Sequence, residues 1–209
     1  MATFSLVHGA WHGGWTWDLV AHELQARGHV VHAPDLPCDN VDAGIAEYAR
    51  LVPAADVVVG HSLGGLTIPR VPARVHVFVC GLVPAVPTDG AFVPGFGDAR
   101  VRDEAGRSYY PDPADAAREL QYPPEHAHLA ARLRRQAPVG SSEPLPDVPR
   151  VYVATTRDAV IEPEWQRRAA RDVLGVEPVE LDAGHSPMLE RPRELADLLQ
   201  SGAREAGVV

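Results

Sequence analysis

A chain of 209 residues has room for one domain with a sizeable core, and not for two comfortable ones. Its formal net charge of −9 speaks against a nucleic-acid or anionic-membrane surface, and 45% hydrophobic with 22% charged residues is the ordinary balance of a soluble globular protein. Every basic residue is arginine, so chemistry that needs a Schiff-base, P-loop or pyridoxal lysine is excluded.

Phe4-Ser5-Leu6-Val7 reads as a short buried strand that breaks at His8-Gly9. Trp17, Val20, Ala21 and Leu24 then recur at i, i+3, i+4 and i+7, one apolar face of a helix, with Gly28 as its cap. His29 to Ala33 predicts a second strand, and Ile45, Tyr48, Ala49 and Val52 a second helix. Val57-Val58-Val59 ends a third strand, since branched side chains suit a pleated surface. A helix is expected after Ser62, kept short by Pro69 and Pro72, and Val75 to Leu82 is a fourth strand.

The texture changes at Pro84. Residues 84–149 hold 11 of the 20 prolines, which rules out central strands over most of the span. Two helices are expected there, Ala114 to Gln121 and Glu125 to Gln136, as parts of a lid and not of a second domain. Alternation resumes with a strand at Val151 to Ala154 and a helix from Pro163 carrying Trp165, Ala169 and Val173. Pro178 to Leu181 is the last strand, and Pro192 opens a final helix with Leu195, Leu198 and Leu199 inward, fraying from Arg204. Near-continuous apolar strands alternating with helices predict an α/β fold with a mostly parallel sheet of about six strands, helices on both faces and one domain over residues 1–209.

Cys38 and Cys80 are too few for a metal site or disulfide framework; Cys38 is expected in an exposed loop and Cys80 in the core. The first residues lack a basic n-region, and no apolar run approaches the ~20 residues of a membrane span. A cytoplasmic protein with no membrane partner is the expectation.

Gly60-His61-Ser62-Leu63-Gly64 has the Gly-x-Ser-x-Gly spacing of a nucleophile elbow directly after a Val run, which exposes the Ser62 hydroxyl on a sharp turn. Serine needs a base, and His185 follows the last strand, at the same C-terminal sheet edge as Ser62. Asp158, in the loop after the preceding strand, is the expected orienting acid, and the order Ser62, Asp158, His185 is that of an α/β-hydrolase. Asp89 is the runner-up acid, while Asp182 is expected to shape a turn. Backbone N–H groups of Leu63 and of Ala10, in the loop after the first strand, are the expected oxyanion donors. Glycines in that loop do not follow G-x-G-x-x-G, so a dinucleotide-binding oxidoreductase is not expected.

Residues 7–15 (Val-His-Gly-Ala-Trp-His-Gly-Gly-Trp), 60–65 and 184–188 (Gly-His-Ser-Pro-Met) together resemble the α/β-hydrolase branch of plant methyl esterases, hydroxynitrile lyases and related bacterial esterases. The resemblance implies a lid after the fourth strand and carries over Ser62, Asp158 and His185 as triad and Ala10 and Leu63 as oxyanion donors. It also places His12, and with it Trp11, at the substrate pocket. The reaction it implies is cleavage of a small carboxylic ester through an acyl-enzyme, with no cofactor and no metal. Two alternatives stand beside it: a cofactor-independent lyase of the hydroxynitrile type, and a non-catalytic small-molecule-binding protein. Lyases of this branch carry a lysine after the catalytic histidine, where this chain has Ser186. Substrate identity and the choice between monomer and homodimer stay open.

Overall fold

The computed structural model describes residues 1–140 and 144–208. Its first half alternates β1 (Thr3–Val7), α1 (Asp18–Ala26), β2 (Val30–His32), α2 (Ile45–Arg50), β3 (Ala55–His61) and β4 (Ala73–Val79). An excursion follows, with a two-stranded ribbon of β5 (Val101–Arg102) and β6 (Ser108–Tyr109), helix α3 (Pro113–Glu119) and a 3-10 stretch at Pro124–Arg132. The chain closes with β7 (Arg150–Thr155), α4 (Pro163–Arg168), β8 (Val179–Leu181), α5 (Pro187–Glu190) and α6 (Pro192–Glu205).

Six strands form one sheet in the order β2-β1-β3-β4-β7-β8, every neighbouring pair parallel. The α/β-hydrolase architecture expected of the sequence is therefore present. Alternate residues divide the core. Phe4, Leu6, Val57, Val59, Val75 and Val77 face α1 and α6, whereas Val58, Phe78 and Tyr152 face α2 and α4. Phe78 and Tyr152 stack across β4 and β7 with ring centroids 6.2 Å apart. Full burial of each such side chain contributes roughly 1.5–3 kcal/mol, so both faces need cover, and the strands read as apolar runs.

Strand order reverses between β1 and β3: the chain leaves β1 for β2 on one side and returns to β3 on the other. Loops leaving a sheet at such a switch point diverge and open a crevice. The Gly-rich loop after β1 and the Ser62 turn after β3 both leave there.

Four local expectations are corrected. In place of a helix after Ser62 there are two 3-10 turns, Ser62–Leu66 and Ile68–Arg70. Paired glycines are poor helix formers, and Pro69 lacks the N–H an α-turn needs. The stretch expected as a helix to Gln136 ends at Arg132. Beyond it Arg134 N–H donates to the Trp11 carbonyl, and Gln136 pairs with Ser108 through both backbone groups, so tertiary bonds replace helical ones. Cys38 is buried, not exposed, and burial pushes its thiol up to about 11. The last helix holds through Glu205, tied by Ala203 and Gly202 in the core. Leu195 and Leu199 are buried as expected, while Leu198 is half-buried.

Candidate active site

Ser62 sits at φ +50°, a left-handed conformation that a serine adopts only where its surroundings enforce it, at roughly 1–3 kcal/mol. What enforces it is close backbone passage. A Cβ at Gly60 would lie 2.7 Å from the Gly64 carbonyl oxygen, and one at Gly64 would lie 2.7 Å from that of Val7. The pentad glycines thus let the turn after β3 press against β1. The Leu82 N–H donates to the Ser62 carbonyl at 2.9 Å and holds the turn from the other side.

Three loops at the same sheet edge bring Ser62, His185 and Asp158 into one hydrogen-bonded chain. His185 Nε2 lies 3.1 Å from Ser62 Oγ, and His185 Nδ1 lies 2.9 Å from Asp158 Oδ2. Asp158 is 5% exposed, His185 2%. The Asp158 carboxylate accepts at every side: Oδ1 from the Val160 and Ile161 N–H groups, Oδ2 from Thr155 Oγ1 and Gln166 Nε2 as well as from His185. Burial alone would raise its pKa. The charge of His185, its hydrogen bond and the two backbone donors outweigh burial and hold the carboxyl below its ordinary value. Of the other acids, Asp182 is exposed and bonded to Arg157 Nε at 2.7 Å, and Asp89 is exposed in the excursion.

Three residues to which the sequence analysis gave no role at the site, Gln121, His61 and Cys80, position these loops. Gln121, at the end of α3 with φ +54°, accepts from the His185 N–H at 2.9 Å and the Ala159 N–H at 2.7 Å through Oε1. Its Nε2 donates to the Arg157 carbonyl at 2.9 Å, so one side chain staples both loops that flank the imidazole. No composition or spacing signal marks this glutamine. His61 Nε2 donates to the His185 carbonyl at 2.8 Å, and Cys80 Sγ approaches the same oxygen at 3.7 Å. Burial holds the His61 imidazole well below its usual pKa and the Cys80 thiol well above, so both stay neutral props. These two with His185 are the described His, Cys, Asp or Glu residues grouped closely enough to share an ion, and their mutual bonding accounts for the grouping.

The loop after β1 runs beside Ser62. His12 Nδ1 donates to the Ala10 carbonyl at 2.6 Å while its Nε2 accepts from the Tyr122 hydroxyl at 2.7 Å. Burial lowers the His12 pKa to about 3. His8 is held alike: Nδ1 donates to the Gly9 carbonyl, Nε2 accepts from the Leu36 N–H, and burial lowers its pKa to about 4. Arg134 laces this loop to the excursion, donating to the carbonyls of His12 and Leu36.

A cavity of about 700 Å³ opens over Ser62. Ala10, Trp11, Leu63 and Leu66 line it with Ser62, and the rest of its wall comes from residues 82–88, the excursion and Val160. His12, expected at the pocket, is not among the lining residues; it lies behind the wall in the bonds just described. Ser186 is also turned away, fully buried and donating to the Leu120 carbonyl at 2.6 Å.

A serine on a strained strand-to-turn junction at a sheet switch point, with histidine and aspartate hydrogen-bonded in line behind it, is the arrangement of the α/β-hydrolase class. The chain belongs to the alpha/beta hydrolase family, whose model matches residues 6–198. It is 27% identical to methylesterase 3 of Arabidopsis thaliana, over 93% of each chain. It is 30% identical to salicylic acid-binding protein 2 of Nicotiana tabacum, over 94% of this chain and 95% of that one. In fold it is similar to the crystal structure of a pyrethroid hydrolase from Sphingobium faniae JZ-2, with a TM-score of 0.76, 24% identity and 97% of both chains covered. Alignments with the two curated relatives run over 246 and 248 positions, more than the 209 residues here, so each relative carries insertions this chain lacks. Among the described residues no helix is long and apolar enough to cross a membrane.

Proposed function

We propose that this protein is a serine hydrolase of small carboxylic esters, and that the excursion over residues 84–149 is a lid on a single domain. The observation that carries the reading is the continuous chain from Ser62 Oγ through the His185 imidazole to a buried Asp158 carboxylate. His185 Nε2 takes the hydroxyl proton as Ser62 Oγ attacks the ester carbonyl. Asp158 fixes the Nδ1–H tautomer and stabilises the imidazolium that forms. Negative charge gathers on the carbonyl oxygen, where the Ala10 and Leu63 N–H groups act as donors. His185 then protonates the leaving alkoxide, and water, deprotonated by the same imidazole, releases the acid. No step calls for a cofactor or metal.

The names of its relatives, methylesterase among them, support ester cleavage. The lyase alternative is disfavoured by one observation: Ser186, which follows His185 where a lyase needs a cation, is buried with its hydroxyl committed to Leu120. A panel of chromogenic esters of graded acyl length tests the reading. Turnover of short-chain esters, lost in Ser62→Ala, is the expected result. Absence of turnover across the panel with efficient cyanohydrin cleavage would replace it with the lyase.

A further inference from the structure

Arg100 is a cation on the wall of the cavity above Ser62, and among the described residues no carboxylate is paired with it. Of the other arginines of the excursion, Arg107, Arg118 and Arg135 each pair with an aspartate, whereas Arg102 and Arg134 are committed to backbone carbonyls and Arg132 lies over the Trp15 ring. Arg100 forms no ion pair among the described residues. Its guanidinium carbon lies over two rings, 4.9 Å from the Trp11 centroid and 4.5 Å from that of Phe96. Its Nε is buried without a hydrogen-bond partner, and one Nη reaches only the Phe96 carbonyl, at 3.5 Å.

That placement is built by the chain around it. Gly97 has φ +93°, and a Cβ there would collide with the guanidinium, so this glycine leaves the room Arg100 occupies. The carboxylate of Glu119 is spent on holding the same turn: it accepts from the Gly97 and Ala99 N–H groups at 3.1 and 3.0 Å and from the Tyr110 hydroxyl at 3.0 Å. Among the described lining residues there are two arginines, Arg100 and Arg102, and no aspartate or glutamate. In a chain of net charge −9 this is a local reversal of sign. The rest of the wall is largely apolar, with Leu66, Val83, Val86, Phe92 and Val160.

We propose that the cavity selects esters carrying a carboxylate remote from the scissile bond, such as half-esters of dicarboxylic acids, with Arg100 as the residue that determines this specificity. The inference rests on the ester-hydrolase reading of Ser62. An apolar methylene chain lies along the wall while the far carboxylate meets the guanidinium, whose planar fork matches two carboxylate oxygens. The adjacent aromatic rings keep the guanidinium in place and thin the water around it, which strengthens the pairing. Chemistry at Ser62 is then ordinary: the acyl group passes to Oγ, methanol leaves with the proton held by His185, and water releases the dicarboxylate.

The test pairs monomethyl with dimethyl esters of the diacids from succinate to suberate, since the series of chain lengths finds the fit between Ser62 and Arg100. For the best chain length, wild type is expected to favour the monoester in kcat/KM by about tenfold or more, chiefly through KM. Arg100→Gln is expected to bring that ratio towards one, and Arg100→Lys, which keeps the charge but not the fork, to retain part of it. A wild-type preference for the diester at every length, or a ratio that survives in Arg100→Gln, overturns the proposal. Calorimetric titration with the free diacids supplies a readout independent of turnover: binding weakened about tenfold or more in Arg100→Gln supports the anion site, and equal binding overturns it. Turnover of neutral chromogenic esters in the same preparations separates a failure of this specificity from a failure of the hydrolase reading itself.

Discussion

The side-chain oxygen of Gln121 accepts from the backbone N–H of His185 at 2.9 Å, so a residue of the excursion fixes the loop that carries the imidazole. With its bonds to Ala159 N–H and the Arg157 carbonyl, the same amide sets the spacing between the His185 and Asp158 loops. Gln121→Leu keeps the bulk and removes all three bonds. It is expected to lower kcat by roughly ten- to a hundredfold with a smaller change in KM, since misplacement of a catalytic group by about an ångström carries costs of that order. Gln121→Glu keeps the acceptor for His185 and Ala159 and should recover part of kcat. Steady-state kinetics on a chromogenic ester, with urea midpoints for all three proteins, distinguishes this from a loss of stability alone, which would leave kcat per folded molecule unchanged.

Asp158→Asn is expected to reduce kcat by about 10⁴, because the amide favours the wrong imidazole tautomer. A cost in stability should accompany it. The carboxylate accepts five hydrogen bonds, and an amide nitrogen turned to either side would face donors. If instead Asp89→Asn gave the larger kinetic loss, the acid would lie after β4 and the reading of the loop after β7 would be wrong.

The buried histidines behind the Gly-rich loop make stability depend on pH. His8 titrates near 4 and His12 near 3 in the folded protein, against an unfolded value of 6.5. Between about 4 and 6.5 the unfolded chain therefore binds more protons than the folded one, and folding stability rises with pH across that window. Above 6.5 both forms are neutral and this contribution is complete; as pH falls it is lost. Melting temperatures measured from pH 7.5 to 4.5 should drop progressively. His8→Gln, in which the amide replaces a neutral imidazole, should show a shallower drop even where its melting temperature at pH 7.5 is lower. A profile equally steep in the variant would place the acid sensitivity elsewhere.

Ser186→Lys tests the direction of the residue after His185. Its site is fully buried, and its hydroxyl donates to the Leu120 carbonyl, away from the cavity. A lysine there buries an unpaired charge. The expected result is a protein of markedly lower melting temperature with no gain in cyanohydrin cleavage. A stable variant with new lyase activity would show that this side chain reaches the reacting centre after all.

The sheet was legible because parallel strands covered on both faces must be apolar runs, and the runs at Phe4, Val57, Val75 and Val151 stand out between polar helices. Ser62 and His185 were legible because loops that leave strand ends at one edge converge whatever the intervening sequence. What could not be read depends on bonds between distant segments. Gln121 carries no local signature, and its role exists only once the excursion folds back on the loops after β7 and β8. The stretch after Arg132 has helical periodicity, yet its N–H groups are taken by Trp11 and Ser108. His12 stands in a motif that suggests a pocket residue, but Tyr122 draws it behind the wall. Arg100 is one of 19 arginines in the sequence, and its place on the cavity wall between two rings exists only in the folded chain.

The central claim is that Ser62 is the nucleophile, activated by His185. A fluorophosphonate reacts with an activated serine and leaves an acid-stable adduct, so intact-mass and peptide mass spectrometry report both stoichiometry and position. Wild type is expected to gain one adduct per chain, at Ser62, with loss of ester turnover in step with labelling; Ser62→Ala is expected to gain none, and His185→Ala to label orders of magnitude more slowly. Stoichiometric labelling at another serine, or labelling of Ser62 at an undiminished rate in His185→Ala, would contradict the account.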